Sequence, residues 1–329
     1  MQKYIKYSVI VVIVVFAALG IMAILTKATD ALSRANVPFL ALASSFFLIS
    51  MLFWIIPWVY LIKKNRKMSV LKGIIMGFSC VYGALTPLQV GSEALRAIKA
   101  KDIFGIPYKE SVAGAMLIKG IKFFLLAVLA SIVIATIIIT TSLSIVILLA
   151  LTSGFAIIAI AASLFLLPLN KNIGLKISKM FKFFAKKIKK FKVVENYFEH
   201  YANYLTQINK RRFSLVFLIT IISLLCEFLA LWASFLALNV FIDLFPLAVL
   251  FVIISVLERT PGLPRGIGLV ETAGFIFLSI PAFSNVQLDT ATTGAILILF
   301  DVVRLLVPTV FSFAVSTIKL GPVKSSSNN

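Results

Sequence analysis

The feature that most constrains this chain is a series of apolar runs without a single charge, such as Tyr7–Leu25 and Phe123–Ile139. Crossing a hydrocarbon core of roughly 30 Å takes about 20 apolar residues, and inside it every backbone polar group must be bonded within the protein. Several runs of this length in one chain of 329 residues specify a helical membrane protein. Charge agrees: 13% of the residues are charged, against about a quarter in a soluble domain. The run at the N-terminus exceeds the roughly 7–15 apolar residues of a signal peptide, so it reads as a retained span. Cys80 and Cys226 lie in apolar segments and call for no disulfide framework, and the lone His200 lies in a polar loop.

Full spans are expected at Tyr7–Leu25, Val37–Ile62, Ser111–Ile139, Ser144–Leu167, Phe213–Leu238 and Gly294–Ile318. Two further apolar segments are interrupted by Pro and Gly: Val70–Leu85, running into Thr86-Pro87 and on to Arg96, and Leu244–Leu257, running into Glu258 and on to Ile280. If the first of these crossed fully, residues 171–212, with twelve Lys/Arg, would face outward. That violates the tendency of basic loops to stay in the cytoplasm. A segment that turns back near Thr86-Pro87 keeps the basic stretches on one side. The expected fold is therefore all-α and polytopic, with six spans plus two re-entrant hairpins from opposite faces; eight or more plain spans is the alternative. The order is a first half 1–168 with hairpin 70–96, a basic amphipathic segment 169–212, a second half 213–318 with hairpin 244–280, and a short polar tail 319–329. Broken segments at matching places in two halves are the signature of an inverted repeat around a transport site. Both termini are placed in the cytoplasm and the protein in the cell membrane.

The net charge of +20 lies in loops beside spans, which suits anionic lipid headgroups rather than nucleic acid. In Lys171–Lys192, Ile173, Ile177, Met180, Phe181, Phe184, Ile188 and Phe191 recur at helical spacing among lysines, as in a helix lying on a membrane surface. Trp54, Trp58 and Tyr60 read as interfacial aromatics. The partners called for are anionic membrane lipids; a homo-oligomer is left open, and no cofactor or metal is called for.

Ionisable side chains at membrane depth cost roughly 3 kcal/mol or more each, so they turn inward and generally have a role. The set is Glu93, Arg96, Lys119, Lys122, Glu227, Glu258, Arg259, Arg265, Glu271, Asp301 and Arg304: six positive and five negative. Asp301 and Arg304 are spaced to pair on one helix. Lys119 and Lys122 either snorkel to the headgroups or contact a lipid phosphate. Glu227 is either a hydrogen-bonded core acid or a proton relay. The hairpins carry more information, because a helix that restarts after a break offers N–H donors and positive dipole to an anion. Gly91-Ser92-Glu93 begins such a helix with Arg96 one turn on, and Gly266-Ile-Gly268 does the same beside Arg265. No phosphate-binding loop of the ATPase kind occurs, and Gly266-Ile-Gly268-Leu-Val-Glu271 places Glu where a dinucleotide fold needs its third glycine.

Thr86-Pro87-x-x-x-Gly91-x-Glu93-x-x-Arg96 and Pro264-x-Gly266-Ile267-Gly268-x-x-Glu271 resemble the motifs of the flippase-like, lysylphosphatidylglycerol-synthase transmembrane-region family. Leu88 and Gln89 stand where the family pattern has glycines. The resemblance implies movement of a lipid with a charged headgroup between leaflets. In the best-known members an aminoacyl-transferase domain follows; here Asn329 closes a short Ser/Asn tail, so the chain is not expected to make aminoacyl lipids alone. The leading expectation is a translocase for a phospholipid or a polyprenyl-phosphate-linked glycan. Arg96, Arg265 and Arg304 would meet phosphate, and Glu93, Glu258, Glu271 and Asp301 would hold the arginines and are candidate carriers of coupling protons. A transferase acting on polyprenyl phosphates, or an ion-coupled transporter of a small solute, are the alternatives.

Overall fold

The computed structural model describes residue 17 and residues 27–63, 68–85, 91–140, 145–170, 172–177, 179, 191–258, 264–279, 288–318 and 320. Among these residues there is no strand, and helices follow one another with short connections. Five stretches are long and apolar enough to cross a membrane: Val37–Lys63, Tyr108–Ile139, Thr152–Leu169, Lys210–Leu236 and Thr290–Ser316. They fall where five of the six spans are expected. The sixth, Tyr7–Leu25, lies outside the described residues apart from residue 17, as does most of the amphipathic stretch 171–192.

After a short α1 (Thr29–Ser33) comes α2 (Val37–Lys63), which serves as a ruler for the rest. The next helices, α3 (Val70–Phe78) with a 3-10 turn at Val81–Leu85, then α4 (Gly91–Phe104), are too short to be plain spans. They form a hairpin. A Cβ on Gly83 would lie 2.7–2.8 Å from the Gly91 and Ser92 backbone, and Lys99 Nζ donates to Ser79 Oγ at 2.9 Å, so the legs run antiparallel. The hairpin climbs α2 from its Lys63 end, where Gly73 rests on Val59 and Gly77 on Ile55.

The long α5 (Tyr108–Thr140) starts at that same end, where Trp58 Nε1 donates to the Ser111 carbonyl at 3.1 Å. It packs along α6 (Ile145–Leu166), and Gly120 lets the Phe165 side chain approach. α7 (Phe191–Thr206) lies across the end of the bundle, with Tyr201 Oη donating to the Phe165 carbonyl at 2.8 Å. Then α8 (Lys210–Leu236) runs back beside α2. Ser50 and Ser223 sit between them, the Ser223 hydroxyl donating to the Ser50 carbonyl at 3.0 Å. Small hydroxyl residues allow such close backbone approach, which lipid-embedded helices need because burial from lipid brings no hydrophobic gain.

The second hairpin pairs α9 (Leu244–Leu257) with α10 (Leu269–Leu278). It starts at the other end of the ruler, because the Asn36 N–H donates to the Ala237 carbonyl at 2.7 Å just before this segment. Opposite-end hairpins are thus a property of the fold. Their tips touch: the 3-10 turn Val81–Leu85 packs on the turn Pro264–Gly266. The last helix, α11 (Thr290–Asp301), passes through a π-helical turn at Val302–Leu306 into α12 (Val307–Ser316). Ser312 on α12 accepts from the Tyr82 N–H at 3.0 Å and donates to the Phe78 carbonyl at 2.7 Å, tying this span to the first hairpin. Exposed apolar residues such as Ile132, Leu149, Ile157, Leu225 and Val310 face outward, as a lipid-solvated surface requires.

Two expectations follow. A Cβ on Gly77 would sit 2.4 Å from Ile55 Cγ2, a branched atom fixed to its own helix. Gly77→Val should therefore destabilise the folded protein by about 1–3 kcal/mol through overpacking. Gly154→Ala, whose Cβ meets only Val256 at 3.7 Å, should be neutral or slightly stabilising; unfolding titrations in detergent separate the two. At the N-terminus of α11, Asp289 accepts from the Thr292 N–H at 2.9 Å, and this bond holds its carboxyl below the usual range. A depressed carboxyl contributes stability above its unfolded pKa and loses it as pH falls through the folded value. Asp289→Ala should cost about 1 kcal/mol at neutral pH and progressively less in acid, seen as convergence of the two unfolding curves.

Candidate functional site

Three ionic groups gather where the hairpin tips reach the middle of α2. The first is built on the start of α4. Ser92 Oγ donates to Glu93 Oε2 at 2.9 Å, and Lys119 Nζ from α5 lies 2.8 Å from Glu93 Oε1. Arg96, one turn along α4, stands 3.8 Å from the same oxygen and donates from Nε to the Ser92 carbonyl at 3.3 Å. Its guanidinium lies 4.0 Å from the Trp54 ring centre and 5.4 Å from that of Trp58. Arg96 is almost fully buried, and a desolvated cation over an indole face is attracted by the ring quadrupole. Trp58 is fully buried and belongs to the protein interior, while Trp54 is half-buried and turns toward the cavity instead of the lipid. Their position near the Lys63 end of α2 disguised them. Tyr60, by contrast, is exposed, with Arg212 over its ring.

The second group joins α5 to α8 and α2. Lys122 Nζ lies 2.5 Å from Glu227 Oε1, which also accepts from Ser50 Oγ at 3.2 Å. The third group knots the second hairpin to the last span. Arg265 pairs with Glu258 across the hairpin tip and donates to the Arg304 carbonyl. Arg304 answers by donating from Nη1 to the Arg265 carbonyl at 3.0 Å. Its Nε reaches Asp301 Oδ1 at 2.6 Å and its Nη2 reaches Glu271 Oε1 at 3.0 Å. All three nitrogens of one buried guanidinium are therefore engaged.

The chain's own proline explains part of this knot. In an α-helix the N–H of residue 308 would bond the carbonyl of residue 304, but Pro308 has no N–H and its ring crowds that carbonyl. The helix widens into the π-turn at 302–306, and the freed Arg304 carbonyl accepts from Arg265. Single π-turns of this kind occur mainly at functional sites. Arg265 itself adopts φ +49°, a left-handed conformation that costs a non-glycine residue energy and persists only when neighbours impose it. Next to it, a Cβ on Gly266 would meet the Leu257 carbonyl oxygen at 2.4 Å, so only glycine fits this turn.

The start of α10 differs from what the sequence led us to expect. The Gly268 N–H, a candidate anion donor, is taken by the carboxylate of Glu271 at 2.5 Å. Glycine has no side chain to complete a capping box, so only the Glu half of that motif operates.

A cavity of ≈ 130 Å³ lies between the tips. Lys119, Lys122 and Arg265 line it together with Glu93, Glu227 and Glu258; Ser92, Met51, Trp54 and Phe123 complete much of the wall. Of the arginines expected to meet phosphate, Arg265 lines this space, whereas Arg96 stacks behind it on Trp54 and Arg304 sits in the buried knot with Glu271 and Asp301. Gly91 shapes the close approach to Gly83. Thr86, Pro87 and Arg259 lie outside the described residues.

Residues 7–312 match the family described as the lysylphosphatidylglycerol synthase TM region. The chain belongs to this family. The match spans both hairpins and the polar knot, and associates the chain with membrane lipid biology. Among curated proteins and among solved structures, none matches it.

Breaking a buried ion pair by removing one partner typically costs about 3–5 kcal/mol. Arg304→Met strands Asp301 and Glu271 together and should fall at the top of that range, while Arg304→Lys, with a single point charge for three acceptors, should recover less than half. Unfolding midpoints in mild detergent check the order.

Proposed function

We propose that this protein is a lipid translocase that moves a phosphate-containing lipid, a phospholipid or a polyprenyl-phosphate-linked glycan, between leaflets without an ATPase of its own. The observation that carries this reading is the cavity at mid-depth of α2, ≈ 130 Å³ in volume, lined by three cations and three carboxylates and closed by two hairpin tips from opposite ends. A headgroup crossing hydrocarbon needs its charge matched along the way, and Lys119, Lys122 and Arg265 supply cations that a phosphate can borrow from Glu93, Glu227 and Glu258. Hairpins from opposite ends give the cavity two doors, so that lifting one tip opens it to one side while the other stays shut. Membership in the lysylphosphatidylglycerol synthase TM region family supports a lipid as cargo.

In this reading the protein sits in the cell membrane with the Lys63 end of α2 at the cytoplasm. That end carries Lys72, Lys101, Lys109 and Lys210–Arg212, and basic segments there meet anionic lipids. Both termini then lie in the cytoplasm.

Purified protein in liposomes, with a fluorescent phospholipid in the inner leaflet and a membrane-impermeant quencher outside, tests the proposal. Quenching should be faster than in protein-free vesicles, and Lys119→Gln plus Lys122→Gln should slow it at least about tenfold, the equivalent of 1.4 kcal/mol. Equal rates with and without protein, for phospholipid and for polyprenyl phosphate alike, would sink the idea.

A further inference from the structure

Behind the cavity, the group formed by Arg304, Asp301 and Glu271 has two carboxylates for one guanidinium, with Arg265 paired to Glu258 beside it. Fully ionised it carries one uncompensated negative charge. Asp301 and Arg304 are each 1% exposed, and Glu271 is 7% exposed. An unpaired charge in such a place costs several kcal/mol even after relaxation, so the group gains by taking up a proton. Geometry names the atom. Asp301 Oδ1 accepts from Arg304 Nε, but Oδ2 is buried and has no hydrogen-bond partner among the described residues. The Asp301 and Glu271 carboxyls lie against the same guanidinium, on Nε and Nη2 of Arg304. Two carboxyls can hydrogen-bond only if one of them holds a proton.

We propose that the Asp301–Glu271 pair, seated on Arg304, is a binding site for one proton, the coupling ion of transport. The proton bonds to the orphaned Asp301 oxygen and is donated to Glu271; Glu271 stays an anion that accepts from Arg304 and from the Gly268 N–H. Among the described residues the surroundings hold no competing acid in the open. Arg265 and Glu258 face the pair from the second hairpin and are bonded to each other. On α8, Glu227 is engaged by Lys122. α1 brings only the exposed Asp30, and α2 no charged side chain before Lys63.

Charge arithmetic links this proton to the cargo, and here the inference rests on the translocase reading. Among the described residues, Arg96, Lys119, Lys122, Arg265 and Arg304 balance Glu93, Glu227, Glu258, Glu271 and Asp301 when all ionise, and Arg259 lies outside them. One bound proton adds a positive charge to the site, which favours a phosphodiester anion. Proton and anion then favour each other's binding by the same factor, as linkage demands. Losing the proton on the far side weakens the hold on phosphate and releases the lipid.

Infrared difference spectroscopy on the protein in liposomes reads the site directly, through the C=O stretch of a protonated carboxylic acid that shifts in D2O. The band should be present in the wild type at neutral pH, and lost in Asp301→Asn, which keeps the shape and hydrogen bonding of the protonated acid. Glu271→Gln serves the same purpose if Asp301→Asn fails to fold. No such band in the wild type at any pH, or a band that survives both substitutions, overturns the proton site. With the band present, wild-type lipid movement should quicken under a proton gradient; rates indifferent to the gradient overturn the coupling. A band without any lipid movement leaves the proton site standing and removes the translocase reading instead.

Discussion

Everything in this structure answers to the cost of holding charge and open backbone inside hydrocarbon. Arg304 shows how the cost is met. Its guanidinium has every nitrogen occupied, by a carboxylate on its own helix, by a carboxylate on α10 and by the backbone of the second hairpin's tip. The broken segments survive at depth for the same reason. Their turns lie against protein, with Val81–Leu85 on Pro264–Gly266 and Ser312 bonded to the first hairpin's backbone. Irregular backbone is tolerated in a membrane only on those terms.

The polar residues therefore do two jobs in different places. Lys119, Lys122 and Arg265, with their acids, face the cavity. Arg96 and Arg304 stand one layer behind, the first on tryptophan and the second in the knot. A site built this way can exchange partners at its surface while its frame stays in register. The left-handed backbone at Arg265 sits at the join between the layers, where a change in the Glu258 pair would reach the Arg304 carbonyl directly.

Much of the frame was legible in the amino-acid order because it depends on local spacing. Lengths of apolar runs located five helices, and Pro and Gly located both hairpin tips. Glu93–Arg96 and Asp301–Arg304 are three residues apart and pair within one helix. Pairs between elements were not legible. Lys122 meets Glu227 across 105 positions and Arg304 meets Glu271 across 33, and nothing local distinguishes these partners from other acids of the set. Trp58 was misread because interfacial and buried tryptophans look alike near a span's end. Pro308 was in plain view, but its effect depends on Arg265 arriving from another hairpin to use the carbonyl it frees. The donor at Gly268 looked open because a glutamate three residues on can serve either a ligand or its own helix.

The separation between Lys122 and Glu227 also bears on how the chain is made. Membrane insertion proceeds from the N-terminus, so α5 enters the bilayer long before α8 exists. Lys119 finds Glu93 already synthesised, but Lys122 meets Glu227 only after more than a hundred further residues have followed. The knot of the second half, by contrast, draws all its members from residues 258–304 and closes as one late event. Biogenesis thus has two stages written into the ion pairs: a first half that stays unsettled, and a second half whose arrival locks both.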